Sequence, residues 1–273
     1  MMMARSEGLA RLARIPGRIR RDVRLVRLLE NWRAALVTEW KRVPLGEVRL
    51  RNGAVLEGPN TINLAFLFHE TWVREVYTPP GYEIRAGDVV IDIGANIGVF
   101  AIYAATRAPG VKVYAFEPFP GNISWLRRNA ESSHVANVEV HQRAVGASLG
   151  VRFLNVDASN WGLHSLWDRG NEEQRVLSVD CISLDDIMKM DGVKQCDLLK
   201  LDCEGGEYEV LYGCAPETLR RVRRIVGEYH EGAHFGGTGK ELCRFLESRS
   251  FRIDRLRSSD ANCGILCASN TAG

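Results

Sequence analysis

What most constrains this chain is the run of residues 87–100, GDVVIDIGANIGVF. Val89, Val90 and Ile91 are a β-branched apolar run bounded by Gly87-Asp88 and Gly94, which suits a strand buried on both faces of a parallel sheet. Asp92 closes that strand. Gly94 to Gly98 turns the chain, and Val99, Phe100, Ile102 and Tyr103 recur at helical spacing. A strand, a glycine turn and a helix in succession aim backbone N–H groups at whatever lies above the carboxyl edge of the sheet. The fold class is therefore α/β, a doubly wound and mostly parallel sheet, with a ligand site at that turn.

The turn, Gly94-Ala95-Asn96-Ile97-Gly98, also discriminates among nucleotide-type ligands. A dinucleotide fingerprint needs a glycine where Asn96 stands, so that backbone can approach a pyrophosphate. A phosphate-binding P-loop needs a Lys-Ser or Lys-Thr pair after the turn, and none follows. S-adenosylmethionine has no phosphate and fits better. Its ribose needs an acidic acceptor at the end of the next strand, and Lys112 to Phe116 leads into Glu117, 25 residues beyond Asp92, close to the ~20 expected of a ribose-binding carboxylate.

The chain has 273 residues and a formal net charge of +2, which by itself makes no case for nucleic acid. Charge is unevenly placed. Residues 1–42 carry eleven basic and four acidic side chains, so the rest of the chain is net acidic and opposes a phosphate track. Ile19, Val23, Val26, Leu29, Trp32, Leu36 and Trp40 lie three or four apart, and residues 18–42 read as one amphipathic helix with an arginine-rich face. Residues 1–45 thus form a basic helical extension to a domain spanning 46–273. The extension packs over the cleft as a lid or makes a homo-oligomer contact, with Trp32, Leu36 and Trp40 buried. No apolar run approaches the ~18 residues of a spanning helix, and no signal core precedes a cleavage site, so a cytoplasmic address is expected. Seven cysteines without a CxxC pair suit reduced thiols. Cys203 reads as a small apolar filler, with a nucleophile as the second reading.

Residues 46–58 alternate around Asn52-Gly53, a dipeptide suited to a type I′ hairpin turn. Tyr77 either reaches the ligand or packs. Beyond Glu117, the sequence reads as a helix from Gly121 to Ala130, a strand from Val138 to His141, and the step Arg143-Ala144-Val145-Gly146. Strand-like alternation at 146–154 and 176–181 flanks a connection holding His164, here taken as a solvent or backbone contact. Ser183 caps a short helix. Leu198 to Asp202 is a fourth buried strand, and Arg224 to His230 a fifth, ending in the acid Glu228 and His230. Segments 251–256 and 264–268 complete the sheet.

On these residues the sequence resembles the FkbM family of S-adenosylmethionine-dependent methyltransferases. The likeness covers about residues 46–235: GDVVIDIGANIGVF, the step Phe116-Glu117-Pro118, RAVG at 143–146, SLDD at 183–186, DLLKLDCEGGE at 197–207, and GEYH at 227–230. It implies a seven-stranded, Rossmann-like class I sheet and methyl transfer to a hydroxyl of a secondary metabolite or sugar. By that likeness Asp92, Gly94, Ala95, Asn96 and Gly98 hold the methionine and ribose side. Glu117, with Pro118 beside it, binds the ribose hydroxyls; Ala144 and Val145 border the adenine; and Asp202, Glu204 and His230 face the methyl group. A sulfonium is a cation, so a ring of carboxylates favours it. His230 has the intrinsic pKa of a base near neutrality, with Asp202 and Glu204 as the other candidates. Asp202, Glu228 and His230 are also ligand types that could hold Mg²⁺ or Mn²⁺ at the substrate hydroxyl, a reading held second. Two other functions stay open: a membrane-surface or partner-binding protein with a vestigial pocket, and an RNA methyltransferase.

Overall fold

A computed structural model describes residues 22–35, 45–156, 175–232, 237–259 and 262–272. Its centre is a seven-stranded sheet. Strands β3 (Val89–Ile93), β4 (Lys112–Phe116), β5 (Val138–His141), β9 (Leu198–Leu201) and β10 (Arg224–His230) run parallel. Strand β12 (Cys263–Asn270) is antiparallel to β10 and to β11 (Phe251–Ser258), giving the order β11-β12-β10-β9-β3-β4-β5. The chain winds outward from β3 through β4 and β5, then returns to build the other half from β9. The order reverses between β3 and β9, and a ligand crevice opens at such a switch point.

Period-two alternation assigns each strand residue to one of two cores. Val90, Val113, Ala115, Leu198 and Val226 face one layer, with α2 (Val99–Ala105) and α3 (Pro120–Ser132). Ile91, Ile93, Phe116, Leu199, Leu201 and Ile225 face the other, which holds α4 (Leu184–Ile187), α5 (Glu207–Tyr212) and α7 (Gly239–Ser248). Ser183 caps α4 by accepting from the Asp186 N–H, and Thr238 with Glu241 forms a reciprocal cap on α7. A second sheet, β6 (Ala144–Gly146), β8 (Arg175–Ser183) and β7 (Gly150–Val156), is the insertion above the first.

The hairpin of β1 (Glu47–Arg49) and β2 (Val55–Glu57) packs on the α2–α3 layer. Buried Asn129 of α3 fastens it: its side chain accepts from the Glu57 N–H at 2.8 Å and donates to the carbonyls of Glu57 and Ile97, each at 2.8 Å. The hairpin turn is not type I′. Gly53 alone has positive φ (+91°), Asn52 does not, and the Gly53 N–H reaches back to the Leu50 carbonyl at 3.0 Å. The bend is centred one residue early, with glycine absorbing the left-handed step that closes a longer loop.

The expected single helix over 18–42 is also corrected. Residues 22–28 and 32–35 are helical, but Leu29 pairs antiparallel with Leu50 between them. There the Glu30 N–H bonds the Arg49 carbonyl at 2.8 Å, and Asn31 donates to the Glu47 carbonyl and accepts from the Arg49 N–H, both at 3.0 Å. Pairing with the hairpin edge thus interrupts the helix. Leu25, Leu29 and Ala35 join the same core as Val48 and Val90, so packing does not break at residue 45. Trp32 is only half-buried; Leu36, Trp40 and His164 lie outside the described residues.

Candidate active site

The glycine turn is built by the end of β4. The Gly94 and Ala95 N–H groups both donate to the Phe116 carbonyl at 3.0 Å, and the Asn96 N–H donates to Glu117 Oε2 at 2.9 Å. Gly94 has φ +75°, and a Cβ there would collide with the Asp202 carbonyl at the end of β9, so no other residue fits. Asn96 takes the left-handed conformation at φ +52°, which asparagine tolerates better than most residues.

Behind the turn lies a buried cation. Lys200 Nζ is 3.0 Å from Asp92 Oδ1 and 3.6 Å from Asp202 Oδ2, and donates to the Gly94 carbonyl at 2.8 Å. Burial alone would lower the Lys200 pKa, but the charges of Asp92 and Asp202 override it and raise the pKa above its ordinary value. Asp92 is fully buried and does not line the cleft. Its expected place among the cofactor contacts is corrected: it holds Lys200, and Lys200 holds the turn. Ala95 and Gly98 likewise shape the turn from outside the cleft lining.

Of the other expected residues, Gly94, Asn96, Glu117, Pro118, Ala144, Val145, Asp202 and Glu204 line one cleft. Glu117 is buried, with Oε1 accepting from the Phe119 N–H at 2.9 Å and Oε2 from Asn96. Burial pushes its pKa up to about 7, against those two N–H groups and the Asn122 side chain. A carboxylate offers roughly four acceptor sites, so these three donors leave room for a further hydroxyl donor from the cleft.

His230 is not in the cleft lining. Its Nδ1 lies 3.3 Å from Glu207 Oε1 and its Nε2 3.5 Å from Glu204 Oε2. Burial would lower its pKa, but the hydrogen bond and charge of Glu207, then Glu204 and Glu228, raise it to about 9. At neutral pH His230 is a held imidazolium, which removes the expectation of a free base with an ordinary histidine pKa. Glu207 also accepts from the N–H groups of Cys203 and Gly205, both at 3.2 Å, so it caps the loop and leaves Glu204 facing the cleft. Burial, with Glu207 and Asp202 beside it, pushes the Cys203 thiol well up, which disfavours a thiolate nucleophile.

Two cleft residues stand out beyond the expected set. Tyr77, undecided from sequence, donates to Asp202 Oδ2 at 2.9 Å. Glu228 faces the cleft two residues before His230, and its pKa is pushed up to about 8 by burial first and by Asp202 next. Alternation along β10 was the available signal for it. The wall formed by Ile62, Phe66, Leu67 and Glu70, from α1 (Leu64–Phe68) and its flanks, had none. Among the described residues no three His, Cys, Asp or Glu side chains gather as ligands for a metal ion.

This strand order, with a glycine turn and acidic strand ends around one crevice, defines a Rossmann-like fold of the class I methyltransferase type. Residues 92–253 match the Methyltransferase FkbM domain. The chain belongs to the FkbM methyltransferase family. Similar proteins include the 31-O-demethyl-FK506 methyltransferase FkbM of Streptomyces tacrolimicus, 34% identical across 76% of this chain and 88% of that one. Methyltransferase 1 of Beauveria bassiana is 29% identical across 66% of this chain and 80% of its own. The hexuronic acid methyltransferase AglP of Haloferax volcanii is 28% identical across 55% and 59% respectively. Among the described residues no helix is long and apolar enough to cross a membrane.

Proposed function

We propose that this protein transfers a methyl group from S-adenosylmethionine to a hydroxyl of a small molecule. The observation that carries this is the acidic character of the cleft: among the described residues Glu70, Glu117, Asp202, Glu204 and Glu228 line it against one basic side chain, Arg143. Such a lining suits a sulfonium and opposes a pyrophosphate. S-adenosylmethionine supplies an activated methyl whose leaving group is a neutral thioether. Glu117 accepts from the ribose hydroxyls, Ala144 and Val145 border the adenine, and Asp202, Glu204 and Glu228 face the reacting end. The apolar wall of Ile62, Phe66 and Leu67 receives the acceptor. Holding oxygen, methyl carbon and sulfur in line supplies about 7–11 kcal/mol. Transfer to oxygen is supported by the relative named for 31-O-demethyl-FK506.

Calorimetry with the full chain tests this directly. S-adenosylmethionine and its demethylated product, S-adenosylhomocysteine, are expected to bind, and Glu117→Ala is expected to weaken both by about 1.5–3 kcal/mol, the range for a charged hydrogen bond. Absence of binding by the wild type would remove the assignment.

A further inference from the structure

The end of the cleft away from Glu117 holds two carboxyls side by side. Asp202 follows β9 and Glu228 lies beside it on the neighbouring β10, since Leu201 pairs with Gly227, and both side chains line the cleft. Two carboxyls crowded at one half-buried site repel, which favours a proton on one of them, and burial with the Asp202 charge raises the Glu228 pKa to about 8. Asp202 Oδ2 already receives the Tyr77 hydroxyl at 2.9 Å and faces Lys200 Nζ at 3.6 Å. Donors therefore surround Asp202, and the proton sits on Glu228.

We infer, on the footing that the cleft takes S-adenosylmethionine, that Asp202 and Glu228 share one proton in the free protein, release it when a sulfonium enters, and leave Glu228 as the carboxylate that deprotonates the acceptor hydroxyl. Charge balance favours the exchange, since a cation entering beside the pair makes the second ionisation favourable. Glu228 then takes the hydroxyl proton as the oxygen–carbon bond forms. The carbon–sulfur bond breaks with its electron pair on sulfur, the positive charge disappears, and the pair again holds one proton. Each turnover resets the base.

The groups facing Glu228 are consistent with this cycle. Asp202 and Glu204 oppose its ionisation, and His230 on its own strand favours it. His230 is meanwhile engaged by Glu204 and, on α5, Glu207. Tyr77, whose pKa burial raises well above its ordinary value, stays a donor. Glu70, from the turn after α1, acts on Asp202 and Tyr77. Across the sheet Glu228 is paired with Ile265 of β12, which brings no charge.

The test needs no acceptor. Binding of S-adenosylmethionine and of S-adenosylhomocysteine is measured at pH 7 in buffers of different ionisation enthalpy, which counts protons released. The two molecules share ribose and amino acid and differ in the sulfonium, so any Glu117 contribution is common to both. The wild type is expected to release about one proton more with S-adenosylmethionine. Glu228→Gln, close in shape but unable to ionise, is expected to bind both ligands and lose the difference. Asp202→Asn, which removes the opposing charge, is expected to lose it too, whereas Glu117→Gln keeps it. Equal proton counts in the wild type, or a difference surviving in Glu228→Gln, would overturn the inference while leaving the cofactor assignment intact. Failure of the wild type to bind either ligand would overturn the cofactor assignment itself.

Discussion

The two halves of the cleft are built on opposite plans. At the ends of β3 and β4 the working groups are backbone amides, and side chains serve to aim them: Glu117 holds the Asn96 N–H, and Lys200 holds the Gly94 carbonyl. At the ends of β9 and β10 the working groups are side chains, and other side chains set their charge: Tyr77 and Lys200 on Asp202, Glu207 on His230, Asp202 on Glu228. Substitutions should therefore act through geometry at the first end, except at Glu117, which also faces the cleft, and through protonation at the second.

The largest expected effect would break that division, because Lys200 serves both ends. Lys200→Met leaves Asp92 buried without its cation and should destabilise the fold by about 3–5 kcal/mol in a denaturant titration, with much of the loss recovered in Lys200→Met/Asp92→Asn. A loss under 1 kcal/mol would mean that the turn does not depend on the pair.

At the side-chain end, His230 should behave as a stabilising cation. Its folded pKa of about 9 lies above the ordinary value, so its contribution is complete below pH ~6.5 and disappears as pH rises through about 9. The stability gap between wild type and His230→Gln should be about 1.5–3 kcal/mol near pH 6 and should close in alkali. A pH-independent gap would assign His230 to packing instead.

At the backbone end, pH acts on ligand binding with the opposite sign. Glu117 gains its charge as pH rises through about 7, so S-adenosylhomocysteine affinity should increase between pH 6 and 8 and be flat in Glu117→Gln. The smallest effect belongs to Asn96→Gly, expected within about 1 kcal/mol in both stability and affinity, since glycine's ease in the left-handed backbone offsets loss of the Ile97 N–H bond to Asn96 Oδ1 (2.7 Å).

The same contrast explains what the sequence made legible. That Gly94, Asn96 and Glu117 line one cleft was legible because backbone conformation restricts residue type, and a strand end has a recognisable place in a buried run. Strands β5 and β10 were delimited to the residue for the same reason. Asp92 was identified as important but given the wrong contact, since its partner Lys200 lies 108 positions away. His230 was read as a base because free histidine has a suitable pKa, and nothing in the order of residues says that Glu207 and Glu204 flank it. The broken helix at Leu29 and the apolar wall at 62–67 depend on tertiary pairing, which overrides local periodicity.

Asn129 carries one more consequence. Because a single buried amide ties Glu57 and Ile97 together, the hairpin that precedes the matched family domain cannot peel away without loosening the glycine turn. The two should exchange their amide hydrogens as one cooperative unit, so ligand binding at the turn should slow deuterium uptake at the Glu57 amide.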